Sequence, residues 1–123
     1  MANKPKIQGT KFESATRDLL LNWGFKAYRL AEGGLKDEGD VQVEIQNNVL
    51  PISEVIFECK ARQNLNIHQT YFKAKQKAGD KPLVLAWKKL VNKGSNSRRT
   101  ADGVSTLYII DEEFLKDLLE NYG

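Results

Sequence analysis

The run Glu54-Val55-Ile56-Phe57-Glu58-Cys59-Lys60-Ala61 constrains this chain more than any other stretch. It begins as an apolar strand and then sets a carboxylate and an ammonium two residues apart. Side chains alternate faces along a strand, so Glu58 and Lys60 fall on the same side of a sheet. A strand apolar enough to lie near the sheet centre, yet carrying both charges on one side, needs something there to receive them. Cys59 points the other way. As the single cysteine of 123 residues it can form no intrachain disulfide, and it reads as a small buried hydrophobe.

Alternating elements surround this strand. Phe12, Ala15, Thr16, Leu19, Leu20 and Trp23 recur at helical spacing, which predicts a helix over 10–23 with Thr10 as its cap and Gly24 as its stop. Residues 25–31 alternate weakly, whereas Val41, Val43 and Ile45 alternate cleanly as a strand buried on one side. Residues 66–79 read as a second helix ending at Gly79, and the apolar run Pro82 to Trp87 as the strand that follows. Residues 105–110 form another strand. Asp111 can cap a last helix whose Phe114, Leu115, Leu118 and Leu119 make one apolar stripe.

With 41% hydrophobic and 28% charged residues and no internal repeat, the chain reads as one α/β domain over 1–123, built in two or three layers around a central mixed β-sheet flanked by helices. Residues 1–8 are expected as a basic N-terminal arm, and 92–104, rich in Gly, Ser, Asn and Arg, as a flexible basic loop. No apolar run reaches the roughly 18 residues of a membrane span, and the first nine residues lack the apolar segment of a secretion signal. A cytoplasmic location is expected.

Charge is distributed unevenly. The net charge is only +3, yet residues 60–100 hold eleven basic side chains against one acid, Asp80, while 102–123 hold six acids against Lys116. A segment this basic attracts a polyanion and gains affinity by counterion release, so DNA or RNA is the first partner to consider. The basic residues expected to contact DNA are Lys4, Lys6, Lys11, Arg29, Arg62, Lys73, Lys88, Lys89, Lys93, Arg98 and Arg99.

Two acids stand against the patterning. Asp40 opens a strand directly after Gly39, and Glu58 interrupts the next one; in an antiparallel hairpin the two could meet on one face. Carboxylates held that close repel unless a divalent cation lies between them, and all-oxygen sites suit Mg²⁺ or Mn²⁺. Lys60, on the same side, could then stabilise charge developing on phosphate oxygens, as in metal-assisted phosphodiester chemistry. The residues alone leave a second reading open, in which Glu58 and Lys60 make an edge salt bridge and Asp40 is only a turn residue.

Taken in order, Gly9 to Arg29 with Glu13 on the first helix, Gly39 to Ile45 with Asp40, Ile56 to Ala61 with Glu58 and Lys60, and Gly79 to Lys88 resemble the PD-(D/E)XK nuclease superfamily. Within it they are most similar to the archaeal-type Holliday junction resolvases and their phage-encoded relatives. The resemblance covers most of the chain. Gly39 stands where the superfamily name has Pro, and no serine lies between Tyr28 and Asp40, where archaeal resolvases carry one.

This resemblance implies a restriction-endonuclease-like fold and an Mg²⁺-dependent endodeoxyribonuclease, in which Mn²⁺ substitutes. Such an enzyme is a homodimer that nicks opposed strands of a four-way DNA junction, in DNA recombination and repair. Asp40 and Glu58 would be metal ligands, with the Cys59 backbone carbonyl a third and Glu13 a further ligand, directly or through water. Lys60 would position the attacking hydroxide, and Gln69, with Gln63 and Gln76 as competitors, would be the family's polar residue near the second helix. A less selective nicking or repair nuclease, and a DNA-binding module that keeps the fold without cutting, are the alternatives. Bland roles are expected elsewhere: His68 at the surface, Trp23 and Trp87 in the core, and Tyr71 and Phe72 between helix and sheet or at a dimer interface.

Overall fold

Apolar alternation lays out five strands and three helices in the computed structural model, which describes residues 4–30, 40–45, 54–90 and 106–122, with 4–9, 40 and 122 described by their backbone alone. The order is α1 (Lys4–Asn22), β1 (Lys26–Arg29), β2 (Asp40–Glu44), β3 (Glu54–Arg62), α2 (Ile67–Ala78), β4 (Leu83–Lys89), β5 (Thr106–Ile109) and α3 (Glu112–Tyr122). The strands form one mixed sheet in the order β1-β2-β3-β4-β5. All neighbours pair antiparallel except β3 and β4, which run parallel. Parallel neighbours need a crossover, and α2 supplies it.

β3 is buried on both faces, because Val55 and Ile56, neighbours in sequence and therefore on opposite sides, are both buried. On one face Cys59 and Ala61 gather with Val41, Val43, Ala27 and Ala86 beneath Phe12 and Leu20 of α1. On the other, Ile56 and Leu83 pack with Ala74 of α2, flanked by Tyr71 and Ala78. The result is three layers, with the sheet between α1 and α2, and a central mixed β-sheet flanked by helices as the order of elements implied. No helix among the described residues is long and apolar enough to cross a membrane.

α1 starts at Lys4 rather than at residue 10, so Thr10 lies inside the helix, and residues 4–8 of the expected basic arm belong to it as well. Pro5 falls in the first turn, where its missing N–H has no intrahelical partner to lose. The other end behaves as expected. Gly24 adopts φ +100°, its N–H bonds to the Leu21 carbonyl at 3.0 Å, and the Phe25 N–H bonds to that of Leu20 at 3.1 Å. This paired closure needs a left-handed residue after the last turn. It also explains why Trp23, expected in the core, is 59% exposed: it follows the last helical residue, where the chain has left the phase that pointed Phe12, Thr16 and Leu20 inward.

α2 begins at Asn66, whose side chain accepts from the Gln69 N–H, and ends at Gly79 with φ 68°. Tyr71, Ala74 and Ala78 face the sheet at i, i+3 and i+7, which leaves Phe72, one position out of phase, 62% exposed. Trp87 is half-buried rather than enclosed, because it lies toward the end of β4, and its indole N–H donates to the Arg62 carbonyl at 3.0 Å. Asp111 caps α3 as expected, accepting from the Phe114 N–H at 2.9 Å. The α3 stripe is only partly covered, with Leu115 and Leu119 exposed.

Tyr71 ties three elements together: its hydroxyl donates to the Leu83 carbonyl at 3.2 Å and accepts from the Asp111 N–H at 3.1 Å. Burial, and then the Asp111 carboxylate, push the phenol from the usual 10.0 up to about 12. A proton held more tightly by the folded chain contributes stability that is fully present below pH 10.0 and lost as pH rises toward about 12. Urea unfolding followed across that window will show a fall that is smaller in Tyr71→Phe. Nothing lies within 4 Å of a Cβ built at Gly24, so the cost of Gly24→Ala is conformational alone. It will lower unfolding free energy by about 1 kcal/mol in the same assay.

Candidate functional site

The β2–β3 register sets Asp40 directly opposite Glu58, and Gln42 opposite Ile56. Val41 and Val43 belong to the α1 cluster, so alternation assigns positions 40 and 42 to the α2 face, with Glu58 and Lys60. Apart from the backbone register, Asp40 is outside the described side chains. Glu58 is 3% exposed. One carboxylate oxygen, Oε2, lies 3.4 Å from Lys60 Nζ, and the other, Oε1, lies 3.4 Å from Lys77 Nζ of α2.

A cleft of about 490 Å³ opens from this carboxylate along the start of α2, lined by Glu58, Lys60, Arg62, Asn64, Leu65, Asn66, Gln69, Thr70, Lys73, Ala74 and Lys77. Four of these are basic and one is acidic, so the cleft favours an anion around a single buried negative charge. The crossover creates it: β3 delivers Glu58 and Lys60, the turn after β3 delivers Asn64 to Asn66, and one stripe of α2 delivers Gln69, Lys73 and Lys77 at i, i+4 and i+8.

Beside the cleft, Gln42 is buried and satisfied. Its amide donates to the Tyr28 hydroxyl at 2.7 Å and accepts from Lys81 Nζ at 3.1 Å, while Lys81 also pairs with Glu54 at 3.2 Å. This network ties β1, β2 and the α2–β4 turn into one polar floor. At the carboxyl ends of the parallel strands, Lys89 donates to the Gln63 carbonyl at 2.8 Å and lies 5.6 Å from the Trp87 ring.

The expected site residues therefore separate. Glu58, Lys60 and Gln69 share the cleft, and Gln63 and Gln76 do not line it. Cys59 turns its thiol to the α1 face, where it is buried. Glu13 is not brought to the cleft. It is 1% exposed beneath α1, on the opposite face of the sheet, where its Oε1 accepts from Arg29 Nε at 3.0 Å and lies 2.9 Å from Nη2. The reason is the packing of α1, which covers the face of Val41 and Cys59 while Glu58 points away from it.

Of the residues expected to contact DNA, Arg62 and Lys73 line the cleft, and Lys89 stands at the ends of the parallel strands. Lys88 sits on the other face, Lys11 is exposed on α1, and Arg29 is committed to Glu13. Lys4 and Lys6 are placed by backbone only, and Lys93, Arg98 and Arg99 lie outside the described residues. His68 is exposed, as expected. Lys77 was missed. Its signal was present in the sequence as the 69/73/77 stripe, but nothing local announced that the stripe would face Glu58.

Among the described residues no three His, Cys, Asp or Glu side chains come together as a metal-holding group. Glu58 is the one carboxylate among the described residues lining the cleft; Lys60 and Lys77 stand on its two oxygens, and Asp40 lies opposite it in backbone register.

Glu13 and Arg29 form a buried pair whose partners depend on each other. Arg29→Met alone will destabilise the fold by about 3 kcal/mol, because it strands a buried carboxylate, and adding Glu13→Leu will recover most of that loss in urea unfolding. A small effect of Arg29→Met would mean that Glu13 finds its compensation elsewhere. Comparison of the chain with protein-family models, with curated proteins and with solved structures finds no match.

Proposed function

We propose that this chain is a metal-dependent, structure-selective DNA endonuclease that resolves four-way junctions by paired symmetric nicks. The observation that carries the reading is Glu58: a buried carboxylate two residues from Lys60 on one strand, opposite Asp40 in register, at the base of a cleft lined by basic side chains. Generic surface ion pairs are exposed at both ends, and this one is not.

Glu58 and Asp40 would hold a divalent cation of the Mg²⁺ class, since both offer hard oxygen donors. When bound, such an ion lowers the pKa of a coordinated water and neutralises charge on a phosphate. Lys60 stabilises the negative charge that builds on the phosphate oxygens during displacement. Arg62 and Lys73 hold the flanking backbone of the strand, and Gln69, at the first turn of α2, can orient a water or a phosphate oxygen by hydrogen bonding. In this reading hydrolysis is direct: among the described residues that line the cleft there is no serine or thiol, and Cys59 belongs to the cluster on the other face. Two nicks at equivalent positions call for two copies related by a two-fold axis, so the working form is a homodimer.

One observation favours a second reading. Glu13, the acid that the resemblance assigns to the site, is held by Arg29 on the far face. A module that binds branched DNA without cutting it would need no such ligand.

A synthetic four-way junction and a matched duplex, each incubated with Mg²⁺ and with chelator, separate these readings. Paired nicks in the junction, dependent on Mg²⁺, support the resolvase; equal cutting of the duplex indicates a less selective nuclease; binding without cutting indicates the module. In the cutting case Glu58→Gln or Asp40→Asn will abolish cleavage with junction affinity changed only a few-fold. Lys60→Ala will slow single-turnover cleavage by about 10²-fold or more.

A further inference from the structure

The two edges of the sheet are finished differently. β1 closes one of them with Lys26 exposed, and a charge on an edge strand discourages a second strand from pairing there. β5 closes the other with Thr106, Leu107, Tyr108 and Ile109, a run with no charge and no proline. Among the described residues β5 pairs with β4 on one side and with no strand on the other. Leu107 and Tyr108 point to opposite faces and are 48% and 45% exposed, so both sides of this edge offer apolar surface. Beside it, on the α1 face, a hollow of about 280 Å³ opens between Trp23 and Tyr108, with Phe57 and Val84 also in its walls. No charged side chain among the described residues lines it.

We propose that β5 is the docking edge for a second copy of this chain, the two β5 strands pairing antiparallel across a two-fold axis and joining the sheets edge to edge. This rests on the homodimer of the reading above and assigns the surface that makes it. Two copies of one strand pair antiparallel about an axis normal to the sheet, so the same patch is used on both partners. That operation keeps each face on its own side. Both α2 faces, with their clefts, then open in one direction, and the two apolar hollows lie beside the axis on the other. Five strand spacings separate β3 from its counterpart, which sets the two strands carrying Glu58 about 24 Å apart across the joined sheet. A strand of four residues supplies few hydrogen bonds, so apolar anchors must hold most of the affinity. The exposed parts of Trp23 and Tyr108 come to roughly 200 Å² per copy, about a quarter of the roughly 800 Å² that a standard interface buries on each partner. Central aromatic anchors of that weight are what such interfaces are built around.

Sedimentation equilibrium and amide hydrogen exchange on the full chain, without DNA or divalent cations, test this. Wild type is expected at twice the 13.9 kDa of the chain. Exchange within 106–109 will be about tenfold slower in the dimer than in the monomer, whether the monomer is reached by dilution or by substitution, because pairing protects the outer N–H groups. Leu107→Lys and Tyr108→Lys, which charge opposite faces of the edge, will each sediment as folded monomers. Phe72→Lys, at an exposed aromatic on α2, will remain dimeric. Wild type that stays monomeric at every concentration overturns the proposal. So does a dimer that persists in both β5 variants, or one that forms while exchange within 106–109 stays fast; should a variant fail to fold, the wild-type exchange series decides alone. None of these readouts depends on cutting. Loss of the β5 join leaves Mg²⁺-dependent cleavage to the junction assay, whereas a chain that pairs through β5 and cuts nothing keeps the join and loses the endonuclease.

Discussion

Burial of β3 on both faces is the constraint on which the rest of the molecule depends. A strand at that position is covered on both sides over most of its length, so a carboxylate buried on it must be compensated by neighbours. Glu58 is such a residue, and the elements around it are arranged to answer it: β2 runs antiparallel so that position 40 stands opposite, and α2 lies across the face so that its basic stripe reaches the carboxylate. An apolar residue at 58 would extend the continuous core that Val55, Ile56 and Cys59 begin. The persistence of a charge there is hard to explain by stability, since a buried ion pair is seldom worth more than the hydrophobic contact it replaces.

The two faces of the sheet divide their polar groups differently. Under α1, Glu13 and Arg29 are closely bonded on the face that also carries Phe12 and Val41, a geometry suited to fixing the angle at which α1 meets β1. Under α2 the polar groups are more numerous, more loosely spaced and open to a cleft. Gln42 stands between these regimes. It is buried, yet both ends of its amide are used, by Tyr28 and Lys81, so the floor beside the cleft is rigid where its wall is adjustable.

Much of this was legible in the chain. Alternation of Val41, Val43 and Ile45 located β2, the paired charges located the face of β3 that lines the cleft, and Gly24, Gly79 and Asp111 marked element ends because each has a local physical role there. What local patterning could not supply was phase and facing. Trp23 continued the helical period on paper, but the helix closes at Asn22, and one residue past closure the period no longer applies. The helix expected from residue 10 starts at Lys4, since a proline in the first turn interrupts nothing. Glu13 was placed on the correct helix, but which face of the sheet that helix would cover is a property of tertiary packing. Lys77 was hidden for the same reason: its partner lies on another element, and contact between them is decided by the path of the crossover.

That crossover also orders the events by which the cleft comes into being. The antiparallel β1–β2 and β2–β3 pairings join strands that are neighbours in sequence, whereas β3 and β4 can align only after α2 has been traversed and closed back onto the sheet. Loop closure must precede any reward from parallel pairing, so this step is among the slow ones. Until it is complete Glu58 has no Lys77, Ile56 has no α2 above it, and the basic stripe has nothing to face. The cleft is therefore expected to mature late, and a nascent chain that has not yet delivered β4 carries Glu58 and Lys60 without the cavity they line.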